Sequence, residues 1–226
     1  LNDFNLEVKS GEKVALVGAT GSGKTTVVNL LMRFYDVDSG SIKINDIDIK
    51  DIELKSLRKN IAIVLQDTVL FSDTIRANIG YGTDEISEEK MLNAAKLANA
   101  DSFIEVLPNK YETILTSSGA KLSQGQRQLL SIARATAAEP KILILDEATS
   151  SVDTRTEKNI QNAMVTLMKN RTSLIIAHRL STIRDADTII VMDHGTIKEQ
   201  GRHDDLIKEK GIYYNLYQTQ FAGNTI

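Results

Sequence analysis

Eight consecutive residues near the start of the chain combine glycines, a lysine and a hydroxyl side chain at fixed spacing. They are Gly18-Ala19-Thr20-Gly21-Ser22-Gly23-Lys24-Thr25, which satisfy the pattern G-x-x-x-x-G-K-[ST]. Glycines adopt backbone angles that other residues resist, so successive N–H groups can converge on phosphate oxygens. We expect Lys24 to reach the β- and γ-phosphates of ATP and the Thr25 hydroxyl to ligate Mg²⁺, and Thr26 completes the predicted ATP-binding set.

The sequence on either side of this loop predicts a strand before it and a helix after it. Residues 14–17 are a continuous apolar run typical of a fully buried strand. After the loop, Val27, Val28, Leu30, Leu31 and Phe34 keep helical spacing. A helix that begins at the loop places about half a positive charge at its N-terminus. This setting favours a phosphate loop over a glycine-rich turn that contains a lysine by chance.

Two adjacent carboxylates follow another apolar run. Residues 142–145 are apolar, and Asp146 and Glu147 come next. A buried parallel strand delivers its C-terminal residues to the edge where ligands bind in open α/β sheets. Asp146 is then placed to hold Mg²⁺ through water, and Glu147 to accept a proton from the attacking water. Taken alone, such a pair is typical of a solvated turn, but the phosphate loop favours the catalytic interpretation.

Other polar residues follow predicted strands at the same edge. His178 comes after residues 174–177, and we expect it to contact the γ-phosphate. Gln66 comes after residues 61–65, and its amide could coordinate Mg²⁺ or the attacking water. His194 and His203 are given no role, because they fall in a predicted hairpin turn and at the start of a surface helix.

Strand and helix patterns alternate along most of the chain. Strands are predicted at residues 4–8, 14–17, 41–45, 61–65, 142–145, 174–177 and 189–192. Helices are predicted from a stripe after Ser87, over 103–107, from Ser123, which has capping-box spacing to Gln126, and over 154–169. This order predicts an α/β fold with a mostly parallel sheet. The core is expected at residues 1–66 and 139–226, with an inserted helical subdomain at about 67–138.

Composition limits the classes of protein and partner. The chain has 226 residues, no cysteine and a formal net charge of −3, with a pI of about 5.7. Disulfides and thiolate metal sites are therefore excluded, and nucleic acid is not expected as a partner because such domains are usually basic. No apolar run approaches the 18 or more residues that a membrane-spanning helix needs. We expect any membrane connection to come through a partner or a segment outside this chain.

Together these motifs resemble the nucleotide-binding domain of ABC transporters over essentially the whole chain. Leu122-Ser123-Gln124-Gly125-Gln126 resembles the LSGGQ signature of that family. Ser151-Val152-Asp153 resembles its D-loop, residues 176–180 its switch-histidine segment, and Gln66 its Q-loop glutamine. Residues 71–79 are similar to the stretch after the Q-loop in exporters of the multidrug and lipid type.

The resemblance implies a P-loop NTPase core with an N-terminal antiparallel β portion and an inserted helical subdomain. It implies ATP and Mg²⁺ as cofactors and two such domains that sandwich two ATP molecules. The signature helix of one domain then points its N-terminus at the γ-phosphate held by the other, so hydrolysis should need the dimer. It further implies associated transmembrane domains of an exporter and a place at the cytoplasmic face of the cell membrane.

The sequence departs from the family pattern at three points. Gln124 replaces the second glycine of the signature, and Ser117 stands where exporters of this type usually have a glutamate. Because Lys24, Asp146, Glu147 and His178 are intact, this combination resembles one half of a heterodimeric exporter, although a homodimer that tolerates Gln124 stays open. The chain also begins at Leu1, downstream of the aromatic residue that stacks on adenine in the family, so we expect a fragment of a longer polypeptide and assign no stacking residue.

Two competing functions are compatible with parts of this pattern. A non-transport ATPase of the same superfamily acting on DNA or ribosomes would carry a long coiled coil between the phosphate loop and the signature, or two domains in tandem; neither occurs in this sequence. A regulatory module that binds ATP without cleaving it would not need Glu147. An export motor therefore fits the residues best.

Overall fold

The computed structural model describes residues 1–83, 85–116, 122–146, 152–176 and 180–221. Its strands are β1 (Lys13–Val17), β2 (Lys43–Ile44), β3 (Ile47–Asp48), β4 (Ile61–Val64), β5 (Ile142–Asp146), β6 (Thr172–Ile176), β7 (Thr188–Asp193) and β8 (Thr196–Gly201). Its α-helices are α1 (Lys24–Leu31), α2 (Leu54–Lys59), α3 (Ile75–Gly80), α4 (Glu88–Leu97), α5 (Asp101–Ile104), α6 (Gln124–Ala137), α7 (Thr154–Met168), α8 (Leu180–Arg184), α9 (His203–Glu209) and α10 (Ile212–Leu216). The chain forms two compact units, one of residues 1–61, 142–148 and 172–226 and one of residues 62–141 and 149–171.

The first unit is built on a mostly parallel sheet. Within it the strands follow one another in the order β5-β6-β1-β7-β8, and among these described strands only β8 runs antiparallel to its neighbour. Ala15 and Leu16 of β1, like Ile189, Ile190 and Val191 of β7, are fully buried. Continuous apolar runs of this kind suit strands that are covered on both faces. The predicted α/β fold is confirmed.

A small antiparallel hairpin, β2 and β3, also belongs to the first unit. Its turn residues Asn45 and Asp46 both have positive φ, of 48° and 66°, as two-residue hairpin turns require. The strand predicted at residues 41–45 is thus shortened to Lys43–Ile44, since the turn takes Asn45. This hairpin is the antiparallel portion that the resemblance implies.

Helices dominate the second unit. Helix α6 packs against α3, α4 and α7, and it buries Leu129, Leu130, Ile132 and Ala133. The predicted N-cap at Ser87 is confirmed, because its hydroxyl accepts a hydrogen bond from the Lys90 N–H. In the described part of the chain, each helix is too short or too polar to cross a lipid bilayer.

Several predicted elements differ from the structure. Residues 4–8 keep alternating exposure but belong to no strand in the described part of the chain, because alternation alone supplies no partner for a ladder. Helix α1 ends at Leu31 rather than reaching Phe34, since Arg33 has a φ of +51°, which is not helical. Phe34 lies beyond the helix and is half exposed. The helix predicted over 103–107 is only Asp101–Ile104, and Val106 is 80% exposed.

Candidate functional site

The glycine loop connects β1 to α1, as the motif predicts. Gly23 precedes the helix with a φ of 107°, a left-handed conformation that favours glycine. A Cβ atom on Gly18 would collide with the carbonyl oxygen of Met192, so only glycine fits there. Ser22 is buried, whereas residues Ala19, Thr20 and Gly21 are exposed. The loop therefore has an exposed tip, while Gly18 and Ser22 pack against the rest of the unit.

Lys24 lies at the centre of this loop. Its Nζ donates to Gly18 O at 2.7 Å, to Ala19 O at 2.9 Å and to Ser22 Oγ at 3.3 Å. Partial burial lowers the pKa of the Lys24 ammonium, and the nearby Asp146 carboxylate opposes this shift. The ammonium thus donates to three uncharged oxygens. Phosphate oxygens of a bound nucleotide could replace them as acceptors and would form stronger, charge-assisted hydrogen bonds.

Asp146 ends strand β5 at the same edge of the sheet. Both Asp146 and Leu16 pair with Ile176 of the strand between them, so β5 and β1 end at the same level, about 10 Å apart. The side chain of Thr25, at the start of α1, is exposed. Hydroxyl and carboxylate oxygens are the ligands that Mg²⁺ prefers, so Thr25 and Asp146 suit that ion.

In the second unit, the predicted capping box at the start of α6 is confirmed. Ser123 Oγ accepts from the Gln126 N–H at 3.2 Å, and Gln126 Oε1 accepts from the Ser123 N–H at 2.9 Å. Leu122 is buried, Gln124 is partly exposed and Gly125 is buried. A Cβ atom on Gly125 would collide with the Thr156 methyl group and lie 3.0 Å from Val152 Cγ1. The start of α6 therefore packs directly on the start of α7.

Two polar residues on α6 were not predicted, although they position the segment around Gln66. Gln128 is only 4% exposed; its Nε2 donates to Leu65 O at 3.4 Å and its Oε1 accepts from Thr68 Oγ1 at 3.2 Å. Arg134 donates to Val69 O at 3.0 Å and to Asn78 O at 2.8 Å. The helical period, which places Gln128 among the apolar residues of α6, is the signal that could have identified it.

Gln66 itself is partly exposed, two residues after the end of β4. Asp153 is the N-cap of α7, where its carboxylate accepts from the Thr156 N–H at 3.0 Å. This hydrogen bond lowers the pKa of the Asp153 carboxyl. Val152 lies just before it. Glu147, Ser151 and His178 lie outside the described residues.

The candidate residues that the structure describes divide between the two units. Lys24, Thr25 and Asp146 belong to the first unit, with the whole glycine loop. Gln66, residues 122–126 and Asp153 belong to the second. His194 lies in the β7–β8 turn and His203 begins α9, as predicted. His203 Nδ1 lies 2.7 Å from the Tyr213 hydroxyl, a contact within the fold.

Comparison with protein families shows which family the chain belongs to. A family model described as "ABC transporter" matches residues 1–150. The chain belongs to the ABC transporter family. Within that family it is a nucleotide-binding domain, as the sequence motifs indicate.

Individual relatives agree with this assignment. The chain is 55% identical over 221 residues to the uncharacterized ABC transporter ATP-binding protein YfiC of Bacillus subtilis, covering 98% of this chain and 37% of that protein. It is 53% identical over 226 residues to the ATP-dependent lipid A-core flippase of Syntrophus aciditrophicus, covering 100% and 38%. A solved structure of a bacterial Atm1-family ABC exporter with ATP bound matches with a TM-score of 0.90 at 45% identity, covering 99% of this chain and 39% of that chain. The chain therefore spans well under half the length of these relatives.

Proposed function

We propose that this chain binds and hydrolyses MgATP and that it is the motor domain of a membrane exporter. The observation that carries the proposal is the folded glycine loop, with the Lys24 ammonium at its centre and the Asp146 strand end beside it at the same sheet edge. The membership of the ABC transporter family and the exporter relatives support it.

The proposed roles follow the chemistry of each side chain. Amides of residues 18–26 and Lys24 hold the phosphates, while Thr25, Asp146 and Gln66 hold Mg²⁺ directly or through water. Glu147 accepts the proton of the attacking water, with Gln66 and His178 orienting the water and the γ-phosphate. When bound by these residues, Mg²⁺ would supply positive charge that offsets the charge developing on the transferred phosphoryl group. The helical subdomain is proposed at about residues 67–138 and the core at 1–66 and 139–226.

We propose that two nucleotide-binding domains dimerise around the nucleotide, with residues 122–126 of one domain facing the γ-phosphate held by the other. Ser123 is exposed at the start of a 14-residue helix, and the N-terminus of such a helix favours negative charge. The Ser151-Val152-Asp153 segment would line the same interface. Transmembrane domains of the exporter, at the cytoplasmic face of the membrane, would receive the motion and choose the cargo.

Removal of the Lys24 ammonium tests the proposal. Lys24→Ala should raise the dissociation constant for MgATP by at least about tenfold, because charge-assisted hydrogen bonds to the phosphates are lost. Lys43→Ala, which removes an exposed lysine of the same unit, is the matched control and should bind as the unaltered chain does. The measurement is isothermal titration with MgATP. Equal affinities in the three proteins would contradict the assignment of the phosphate site.

A further inference from the structure

The tight turn between β7 and β8 contacts the glycine loop. Its two central residues, His194 and Gly195, have φ values of 46° and 77°, and the flanking residues Asp193 and Thr196 are paired. The Thr196 hydroxyl donates to Asp193 O at 2.8 Å. The His194 side chain is 93% exposed. The turn is therefore stabilised by its own hydrogen bonds, and its conformation requires a residue that tolerates positive φ at position 195.

Three contacts join this turn to the loop within the first unit. The Gly195 N–H donates to Ser22 O at 2.9 Å. The carbonyl of Met192 occupies the space beside Gly18 that a Cβ atom would need. A Cβ atom on Gly23 would lie 3.4 Å from both Gly195 Cα and Met192 Cε. Parallel pairing of Val17 with Val191 sets this register.

The hydrogen bond from Gly195 determines the direction of a neighbouring amide. Because a trans peptide is planar, the carbonyl of Ser22 and the N–H of Gly23 point in opposite directions. When Gly195 holds the Ser22 oxygen toward the turn, the Gly23 N–H must point away from it. That direction is away from the turn, and it is the side on which we expect the phosphate to bind.

We propose that Gly195 is a positioning residue of the phosphate loop, which aims the Gly23 N–H at the nucleotide by holding the carbonyl of Ser22. This inference rests on the proposed function, because it assigns a further residue to the same site. Gly195 is itself fixed from its other side, where its carbonyl accepts from the Asn2 N–H at 3.1 Å. Its contribution to nucleotide binding is thus indirect, through the orientation of one peptide group.

Three variants separate this role from general destabilisation. Gly195→Ala introduces a side chain at positive φ and should displace the turn. Gly195→Asn is the conservative variant, because asparagine tolerates left-handed backbone angles. Gly40→Ala is the matched control, since Gly40 has a φ of 80°, lies outside the loop and turn, and would carry its new methyl group with no other atom within 4 Å. Thermal melts of the three variants measure how much each substitution destabilises the fold, including the strain of alanine at positive φ in Gly195→Ala and Gly40→Ala.

MgATP titration of these variants gives the readout. We expect the dissociation constant to rise by about tenfold in Gly195→Ala and by less than about twofold in Gly40→Ala and Gly195→Asn. Equal affinities in Gly195→Ala and Gly40→Ala would overturn the proposal. If the unaltered chain fails to bind MgATP, the proposed function is wrong instead.

Hydrogen exchange in the unaltered chain, measured without and then with MgATP, gives a test that needs no variant. The Gly195 amide should exchange at least about tenfold more slowly than in an unstructured peptide, because Ser22 O accepts its hydrogen. The protection of the Gly195 amide should increase when MgATP is added, because phosphate bound to the Gly23 N–H restrains the peptide group whose Ser22 oxygen accepts from Gly195. Exchange of the Gly195 amide at the unprotected rate would overturn the proposal.

Discussion

Two adjacent residues at the start of α6 differ in what their surroundings permit. Gln124 is partly exposed, and its helical backbone does not require glycine. Gly125 is buried against the Thr156 methyl group and Val152. The helix therefore accepts glutamine at position 124 in place of the signature glycine of the family, whereas a side chain at position 125 would force α6 and α7 apart. Gly125 has a packing role as well as its proposed place in the signature.

Gly125→Ala should lower the free energy of unfolding by about 1–3 kcal/mol, because one added methyl group overpacks a closed contact. Gln124→Ala is the matched control in the same turn of α6 and should change it by less than about 0.5 kcal/mol. The measurement is urea denaturation.

Adding Thr156→Ser to Gly125→Ala should recover part of the loss, since serine lacks the methyl group that the new Cβ would meet. A Gly125→Ala protein as stable as the unaltered chain would show that α6 and α7 are not closely packed at this point.

At the scale of elements, α6 joins two predicted motifs of the second unit. It begins with the capping box of Ser123. Further along, Gln128 donates to the carbonyl of Leu65 and Arg134 to the carbonyl of Val69, one on each side of Gln66 in the sequence. The Arg134 guanidinium also lies 5.3 Å from the centre of the Phe71 ring and 5.6 Å from that of Tyr81. One helix thus connects the signature to the segment that carries Gln66.

Gln128→Leu tests this connection. It removes the buried amide that donates to Leu65 O and accepts from Thr68 Oγ1. The free energy of unfolding should therefore fall by about 1–3 kcal/mol. We expect the rate of ATP hydrolysis to fall more than MgATP affinity, because Gln66 is proposed to act on the attacking water while the phosphates are held elsewhere. Phosphate release and MgATP titration measure the two effects.

Thr68→Val is the matched partner variant, because it deletes one of the same hydrogen bonds and leaves the Gln128 contact with Leu65 O. If both variants hydrolyse ATP at the unaltered rate, α6 does not position Gln66.

Local patterns predicted the elements that depend on local chemistry. The buried strands at 14–17 and 142–145 and the cap at Ser123 follow from apolar runs and from a serine–glutamine spacing, and the structure has all three. The prediction of a strand at residues 4–8 was wrong, because a strand needs a neighbouring strand to pair with, and alternating apolar and polar residues do not specify one. Gln128, Arg134 and Gly195 were missed for the same reason, since their partners are distant in sequence and meet them only in the folded chain.

At the scale of the whole molecule, the proposed chemistry is incomplete within one copy of the chain. The residues proposed to hold the phosphates are in the first unit and the signature residues are in the second, and we propose that the signature faces the nucleotide of another domain. The chain also spans only 37% and 38% of the lengths of the two curated relatives described above. We therefore propose that hydrolysis depends on a second nucleotide-binding domain. We propose a heterodimer, in which the partner's signature completes the site formed by Lys24, Asp146 and Glu147.

The chain alone should therefore release phosphate from MgATP slowly, and a Glu147→Gln copy mixed with it should not change that rate. Gln124→Gly, which restores the signature glycine of the family, should raise the rate of the chain alone, because it improves the site that two identical copies would share. The measurement is phosphate release over a range of protein concentrations. Substantial release that rises with the square of concentration, and that the Glu147→Gln copy suppresses, would instead show that two identical copies form a competent homodimer despite Gln124.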